Sequence, residues 1–309
     1  MKALKYMGYV LVSVIGTLLL FNLFITYLLH RGFAQSAAHP DRWPVGSYVY
    51  DSVIGLDISP GVSAPIQNRS FYVKSHSLGY RIGEYEDAVS YKHGGVLSLV
   101  CSFTYGDEVN SEQTFTQLLA DSLKLPAYNY GTCSFSYIHA LLKAKQLKNR
   151  GVLDELQPRY VVLGCWNELP NRSRSPFPPL STGELPFSCA YIDKDKSGFI
   201  IQPPMRSKYI FDLMKLYRTE GPELSFNKFI KLFVAVPRYL YQSMLTKRLR
   251  EKVQVNQSSN QISNYDVYDY YFTGIENIFS KYNSRIIVLF MPNSAYDQPD
   301  EGLQKALAK

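Results

Sequence analysis

The sequence predicts an α/β protein with a parallel sheet, preceded by one membrane-spanning helix. Buried-strand patterns at residues 94–101, 127–131 and 159–165 alternate with two amphipathic helical patterns. Such alternation is typical of parallel strands joined by right-handed crossovers. The chain has 309 residues, of which 46% are hydrophobic and 19% charged, and this composition is that of a globular protein large enough to bury a sizeable core.

The N-terminus predicts a membrane anchor, which we assign to residues 1–32. No charged residue occurs from Tyr6 to Leu29, and this run is long enough to cross a bilayer as a helix. Lys2 and Lys5 precede it, which favours a single-pass protein with a cytoplasmic N-terminus and an extracytoplasmic main domain, in the periplasm or at the cell surface. A cleaved signal peptide is the alternative, because small residues at 34–38 are typical of a processing site.

The next segment, residues 33–93, is rich in Pro, Gly, Ser and Tyr and predicts a lead-in of turns and short strands. We assign residues 94–309 to the α/β domain, with a helical insertion at about 171–264 and a further strand at 285–291. Within the insertion, an apolar stripe has basic residues between its members, and it fits either packing on its own domain or contact with a membrane surface. The stripe consists of Phe226, Phe229, Ile230 and Phe233.

Charge and cysteine content argue against several classes of function. The net charge of +7 is not concentrated in a basic run with interleaved aromatic residues, so we expect no nucleic-acid partner. The four cysteines lack the C-x-x-C spacing of a zinc site, and the first strand-to-helix turn lacks G-x-G-x-x-G, so we expect no metal and no cofactor. The four cysteines are Cys101, Cys133, Cys165 and Cys189. Either two of them form a disulfide, or all four are buried as small hydrophobic residues.

Three residues at predicted strand ends form a candidate site for acyl chemistry. Ser102 follows the strand at 94–101, Gly131 ends the next strand, and Asn167 follows the third. Catalytic groups in parallel sheets collect beyond the carboxyl ends of the strands. Ser102 is therefore a candidate nucleophile, and its own N–H, the N–H of Gly131 and the amide of Asn167 are candidate donors to an oxyanion.

These segments resemble the SGNH or GDSL-type serine hydrolases, specifically their membrane-anchored bacterial members. Residues 100–109 (VCSFTYGDEV) are similar to the family's G-D-S-F-T-x-G block, residues 129–131 to its N-x-G turn, and residues 161–167 to its third block, a strand that leads to an Asn. Residues 77–81 (SLGYR) are similar to an N-S-x-G-[FY]-R segment upstream. The resemblance implies a flavodoxin-like three-layer α/β/α sandwich. It also implies that Ser102 is the nucleophile and that Gly131 and Asn167 complete the oxyanion hole.

Two departures from the family pattern affect the expected activity. Val100-Cys101 stands where the family has Gly-Asp. The C-terminal D-x-x-H block, which supplies the catalytic Asp and His, is absent, and only His139 follows Ser102. We interpret His139 as a solvent-facing or core residue rather than the base. The chain ends where the last strand and helix of the fold are expected, so we expect these elements to be missing.

The resemblance implies an esterase or acyltransferase acting on ester groups, such as the O-acetyl groups of cell-envelope glycans. Because the His and Asp of the triad are absent, we expect weak activity or none. The alternative is a non-catalytic, membrane-anchored member of the same fold that binds a glycan or a protein. The expected partners are therefore an ester-bearing small molecule or polysaccharide, and the membrane.

Overall fold

The computed structural model of the protein describes residues 2–38, 48–65, 72–107, 109–176, 189–195, 198–205, 208–258, 262–292 and 297–309. Within these ranges the chain is a mixed α/β protein with a seven-stranded central sheet and a long apolar helix at its N-terminus. The predicted α/β class is therefore confirmed.

Helix α1 (Lys2–Ala38) is the N-terminal helix, and it continues six residues beyond the predicted boundary at residue 32. Its stretch Lys5–Gln35 is long and apolar enough to cross a membrane, with a mean hydropathy of 2.2. The large apolar side chains from Tyr6 to Phe24 are exposed. This pattern is what a helix surrounded by lipid requires, because an apolar surface in water is costly.

Residues 33–38 of the predicted lead-in belong to α1, and its later part forms short strands. They are β1 (Tyr48–Val49), β2 (Asp57–Ile58), β3 (Ser63–Pro65), β4 (Tyr72–Ser75) and β5 (Arg81–Ile82). β1 and β2 form a separate antiparallel ribbon, whereas β3, β4 and β5 pair in antiparallel order and belong to the central sheet.

The predicted alternation of strands and helices follows. It comprises β6 (Val96–Val100), α2 (Ser102–Tyr105), α3 (Phe115–Leu123), β7 (Ala127–Gly131), α4 (Tyr137–Asn149), α5 (Val152–Leu156), β8 (Tyr160–Cys165) and α6 (Leu169–Ser173). α3 starts at Phe115, because the side chain of Thr114 accepts a hydrogen bond from the N–H of Gln117 and caps it. Residues 111–113 form a separate 3₁₀ turn.

The C-terminal half adds a hairpin, four helices and one strand. They are β9 (Tyr191–Asp195), β10 (Gly198–Gln202), α7 (Lys208–Glu220), α8 (Phe226–Ser258), α9 (Asn264–Phe279), β11 (Arg285–Phe290) and α10 (Glu301–Leu307). Gly221 and Pro222 separate α7 from α8, whereas α8 continues through Pro237. The β9–β10 hairpin lies within the insertion that the sequence predicts to be helical.

The central sheet has the order β11-β8-β6-β7-β5-β4-β3. The four strands from β11 to β7 are parallel to one another, and the three lead-in strands extend the sheet antiparallel through the pair Arg81–Asn129. The prediction of a parallel sheet therefore holds for four of the seven strands, because the free edge of β7 pairs with the lead-in. β11 forms the opposite edge, where Ile286 and Ile287 are each 37% exposed.

Both faces of the parallel strands are covered by helices. Leu97 and Leu99 of β6 belong to the main apolar cluster, together with residues of α4 and α9. Val96 and Val162 face the other way and share a cluster with Ala120 of α3. The period-two alternation thus buries every residue of β6, which explains its continuous apolar sequence.

A buried ion pair fixes the lead-in to the α/β core. Lys143 Nζ of α4 lies 2.6 Å from Asp57 Oδ2 of β2, and the two side chains are only 3% and 11% exposed. Each charge is shielded from water and depends on the other for compensation.

We predict that Lys143→Met destabilises the protein by about 3–5 kcal/mol, because Asp57 is then a buried and unpaired charge. The measurement is urea unfolding of the full chain in detergent. Lys281→Met is the matched control, since Lys281 and Asp154 form a 3.0 Å pair whose side chains are 61% and 53% exposed. Equal losses in the two variants would show that the Lys143–Asp57 pair does not hold the lead-in.

Candidate functional site

The three sequence-predicted residues lie at one edge of the sheet, the carboxyl ends of β6, β7 and β8. Ser102 is the first residue of α2 and follows β6 after Cys101. Gly131 is the last residue of β7 and pairs with Val100, while Asn167 follows β8 by two residues. β6 pairs with β7 on one side and with β8 on the other, so the nucleophile candidate stands between the other two residues.

The backbone two residues before Ser102 is strained. Val100 has a φ of +122°, a region that β-branched residues avoid because the side chain collides with the backbone. Such strain costs about 1–3 kcal/mol and clusters at functional sites. The position is also the one where the GDSL pattern has glycine, which adopts positive φ without this cost. Val100 therefore adopts a backbone conformation that glycine favours.

Ser102 itself has the exposure and the local geometry that a nucleophile needs. Its side chain is partly exposed at the start of α2. As a first-turn residue it has an N–H without an intrahelical acceptor, since the first N–H groups of a helix are always left over. This N–H is available to an incoming oxyanion.

Gly131 is required by close packing against α2. A Cβ atom at this position would lie 2.3 Å from the backbone nitrogen of Tyr105 and 2.6 Å from the carbonyl carbon of Thr104. Its N–H donates to Oδ1 of Asn129 at 2.9 Å. The N–H expected to serve an oxyanion is therefore already engaged, and a bound oxyanion has to share it with Asn129.

Asn167 connects the sheet edge to the C-terminal segment. Its Nδ2 donates to the carbonyl of Gln298 at 2.9 Å, and its Oδ1 accepts from the N–H of Asp300 at 3.1 Å. A side-chain amide has two N–H donors, so one remains for a ligand. The two bonds orient the amide, which sequence reasoning did not anticipate because the partners lie about 130 residues away.

Arg81 holds the turn that carries Ser102. The side chain is 2% exposed, and its guanidinium donates to the carbonyls of Tyr105, at 2.6 Å, and of Gly106 and Val109. Asn129 Nδ2 donates to the carbonyl of Thr104 at 2.8 Å. Arg81 appeared in the sequence only as the last residue of the SLGYR segment. The signal for its role was its charge in an otherwise uncharged strand.

An aromatic and cationic cluster borders the same edge. The rings of Phe103 and Trp166 meet edge to face at 5.2 Å, and the guanidinium of Arg172 lies 4.5 Å from the centre of the Trp166 ring. Phe103 is 48% exposed. Sequence reasoning missed this cluster, although Phe103 and Trp166 each adjoin a predicted site residue.

The histidines in the described part of the chain all have other partners. His139 is buried, accepts from the N–H of Ser136 at 2.9 Å through Nδ1, and bonds the carbonyl of Ala190 through Nε2 at 2.8 Å. Burial lowers its pKa to about 4. His139 is thus a core residue. His30, His76 and His93 contact Tyr217, Ser90 and Glu155, and His39 lies outside the described residues.

The four cysteines are free and buried, as small hydrophobic residues would be. Burial raises the pKa of Cys165 and of Cys189 to about 12, so these thiols stay protonated and unreactive at neutral pH. Cys133 Sγ donates to Asp107 Oδ1 at 3.1 Å. In the residues described, no group of three His, Cys, Asp or Glu side chains has the arrangement of a metal site.

Comparisons with known proteins add no relative. No protein-family model matches the chain, and no curated protein is significantly similar to it.

We predict that Val100→Gly costs about 1–3 kcal/mol less stability than Val162→Gly. Both substitutions remove a fully buried valine from a central strand, but only Val100 has a positive φ that glycine relieves. Urea unfolding of the two variants measures the difference. Equal destabilisation would show that no strain is stored before Ser102.

We predict that burial of His139 makes the protein less stable in acid. Its pKa is about 4 in the folded chain and 6.5 when exposed, so between these values the unfolded chain binds more protons. Stability is therefore full above about pH 6.5 and falls by about 3 kcal/mol toward pH 4.

The measurement is the free energy of unfolding across this pH range for the wild type and for His139→Gln. The variant should lose most of this slope, whereas other titrating groups contribute equally to both proteins. Parallel curves for the two proteins would contradict the assignment.

Proposed function

We propose that the protein is a membrane-anchored serine esterase or acyltransferase of the SGNH type, acting on ester groups such as the O-acetyl groups of cell-envelope glycans. The observation that carries the proposal is the position of Ser102. It is the first residue of a helical turn at the carboxyl edge of the sheet, behind a strained residue and between the strands of Gly131 and Asn167. α1 is the anchor, with the N-terminus in the cytoplasm and the α/β domain outside.

The proposed fold is a flavodoxin-like three-layer sandwich. Its support is the set of four parallel strands with α4 and α9 on one face and α3 on the other. In such an arrangement the first βα turn of the central strand presents its residues to the crevice above the sheet. That turn contains Ser102.

The proposed reaction begins with attack of Ser102 Oγ on an ester carbonyl carbon. The new C–O bond moves an electron pair onto the carbonyl oxygen, and the N–H of Ser102 and the remaining N–H of Asn167 stabilise this oxyanion. Ser102 Oγ loses its proton to water as it attacks, and collapse of the intermediate expels the alcohol, which takes up a proton from water and leaves an acyl group on Ser102. Water or an acceptor hydroxyl then removes the acyl group.

The expected rate is low because the histidines of the described residues all bond other groups, and none is placed to take the Ser102 proton. His139 is buried and engaged at both nitrogens. Triad enzymes that lack a member keep a residual rate of about 10³–10⁴ over water, from the oxyanion hole and substrate binding.

The second candidate is a non-catalytic member of the same fold that binds a glycan or a protein. The observation that favours it is the engaged N–H of Gly131, which bonds Asn129 instead of pointing freely at a ligand. The partly exposed Phe103, with Trp166 and Arg172 beside it, provides a surface on which a sugar ring can stack.

We predict that added imidazole increases the hydrolysis of p-nitrophenyl acetate by the full chain in detergent. A small base that diffuses to Ser102 replaces the missing histidine, so the rate should rise with imidazole above the solution background. Ser102→Ala is the control, and Ser136→Ala, at the buried serine that precedes α4, is a second control for loss of a hydroxyl.

A rate that depends on Ser102 supports the enzyme. If wild type and Ser102→Ala give the same rate at every imidazole concentration, and a fluorophosphonate does not label Ser102, the esterase proposal is refuted and the binding function is favoured.

A further inference from the structure

Helix α8 carries an exposed apolar stripe. On a helix with 3.6 residues per turn the members lie within an arc of about 80°. They are Phe226, Ile230, Val234, Tyr241 and Met244, exposed by 80%, 43%, 71%, 62% and 58%. Five large apolar side chains on one side of one helix exceed the scattered exposure that soluble surfaces show.

The stripe is not the face by which α8 packs. Lys228, Leu232 and Val236, on the opposite side, are 0–2% exposed. The four residues of the stripe predicted from the sequence therefore differ in exposure. Phe229 and Phe233 are half-buried, whereas Phe226 and Ile230 point away from the packed face.

The packed face of α8 meets the C-terminal part of α1. Leu29 and Phe33 of α1 share one apolar cluster with Leu232 and Val236 of α8 and with residues of α7. His30 Nδ1 lies 2.8 Å from the hydroxyl of Tyr217 in α7. The end of the apolar N-terminal helix is thus built into the same helical layer as α8.

The length of α1 gives the level at which α8 lies. The exposed large apolar side chains of α1 extend from Tyr6 to Leu28, about 34 Å at 1.5 Å per residue, which is slightly more than the ~30 Å hydrocarbon core of a bilayer. Leu29 directly follows them and is buried in the helical layer, so α1 meets this layer where it leaves the hydrocarbon core. Amphipathic helices lie at this boundary between the acyl chains and the headgroups.

The charge of α8 matches anionic headgroups. Residues 226–258 contain seven lysines or arginines and one acidic residue, Glu251. Lys231 and Arg238 are exposed beside the stripe, and Lys247 and Arg248 are exposed farther along the helix. Each basic residue near an anionic leaflet strengthens the attraction of the helix to the membrane.

We propose that the stripe of α8 is a second membrane contact, which inserts into the interface of the leaflet from which α1 emerges. Phe226, Ile230 and Val234 enter the boundary of the acyl chains, and the basic side chains bind anionic lipid headgroups. The domain is then held with α8 flat on the bilayer instead of swinging on a single helix. The inference rests on the proposed anchoring by α1, but not on the proposed chemistry of Ser102.

The test uses the full chain in vesicles of phosphatidylcholine and phosphatidylglycerol, with an NBD fluorophore attached through single introduced cysteines. The native cysteines are 0–2% exposed, so an introduced surface cysteine is labelled selectively. Val234→Cys reports on the stripe, Leu19→Cys on the anchor, and Tyr85→Cys, at a side chain that is 93% exposed in the lead-in, on the aqueous surface.

We expect doxyl-labelled lipids to quench the labels at positions 234 and 19 and to leave the label at position 85 unaffected. For the double variant Lys231→Gln/Lys247→Gln in vesicles of phosphatidylcholine alone, we expect the quenching at position 234 to be lost. Quenching at 19 without quenching at 234 would overturn the inference and leave the anchor intact. Absence of quenching at 19 would refute the anchor, and the inference with it. Quenching at 234 that is the same without anionic lipid would refute the headgroup contacts.

Discussion

The pairing of β6 with β7 on one side and β8 on the other positions every residue of the candidate site. Each strand contributes one of them where it ends, and the pairs Val100–Gly131 and Leu99–Leu163 fix the relative heights of those ends. A slip of one residue in either pair would reverse the faces of the strand and expose its buried side chains. The cost of that exposure is what keeps the candidate residues in register.

Much of this arrangement was readable from the sequence. Continuous apolar runs predict strands covered on both faces, and a serine, a glycine and an asparagine at their ends predict one shared edge. The limits are equally specific. Arg81 donates to three carbonyls of the turn after Ser102, and neither spacing nor composition identifies carbonyl partners so far along the chain. The start of α3 is decided by one hydroxyl, that of Thr114, although Asn110 and Ser111 just before it are also typical capping residues.

The antiparallel direction of the lead-in strands could not be predicted from the sequence either. Segments of two to four residues do not show the periodicity that distinguishes an edge strand from a turn. Their membership of the central sheet follows from the long-range pair Arg81–Asn129, and α8 continues through Pro237 because tertiary packing overrides a local helix breaker. Propensity predicts elements, whereas contacts between distant residues decide where these elements join.

The two hydrogen bonds that Asn167 makes to residues 298 and 300 have a consequence for the whole C-terminus. Asp300 caps α10 and also accepts from Asn264, at the start of α9. A ligand that turns the Asn167 amide toward itself breaks these bonds and weakens the packing of α10. By reciprocity, the packing of α10 alters the affinity of the Asn167 amide for that ligand. Helix α10 and the edge of the sheet that carries Ser102 are therefore thermodynamically coupled.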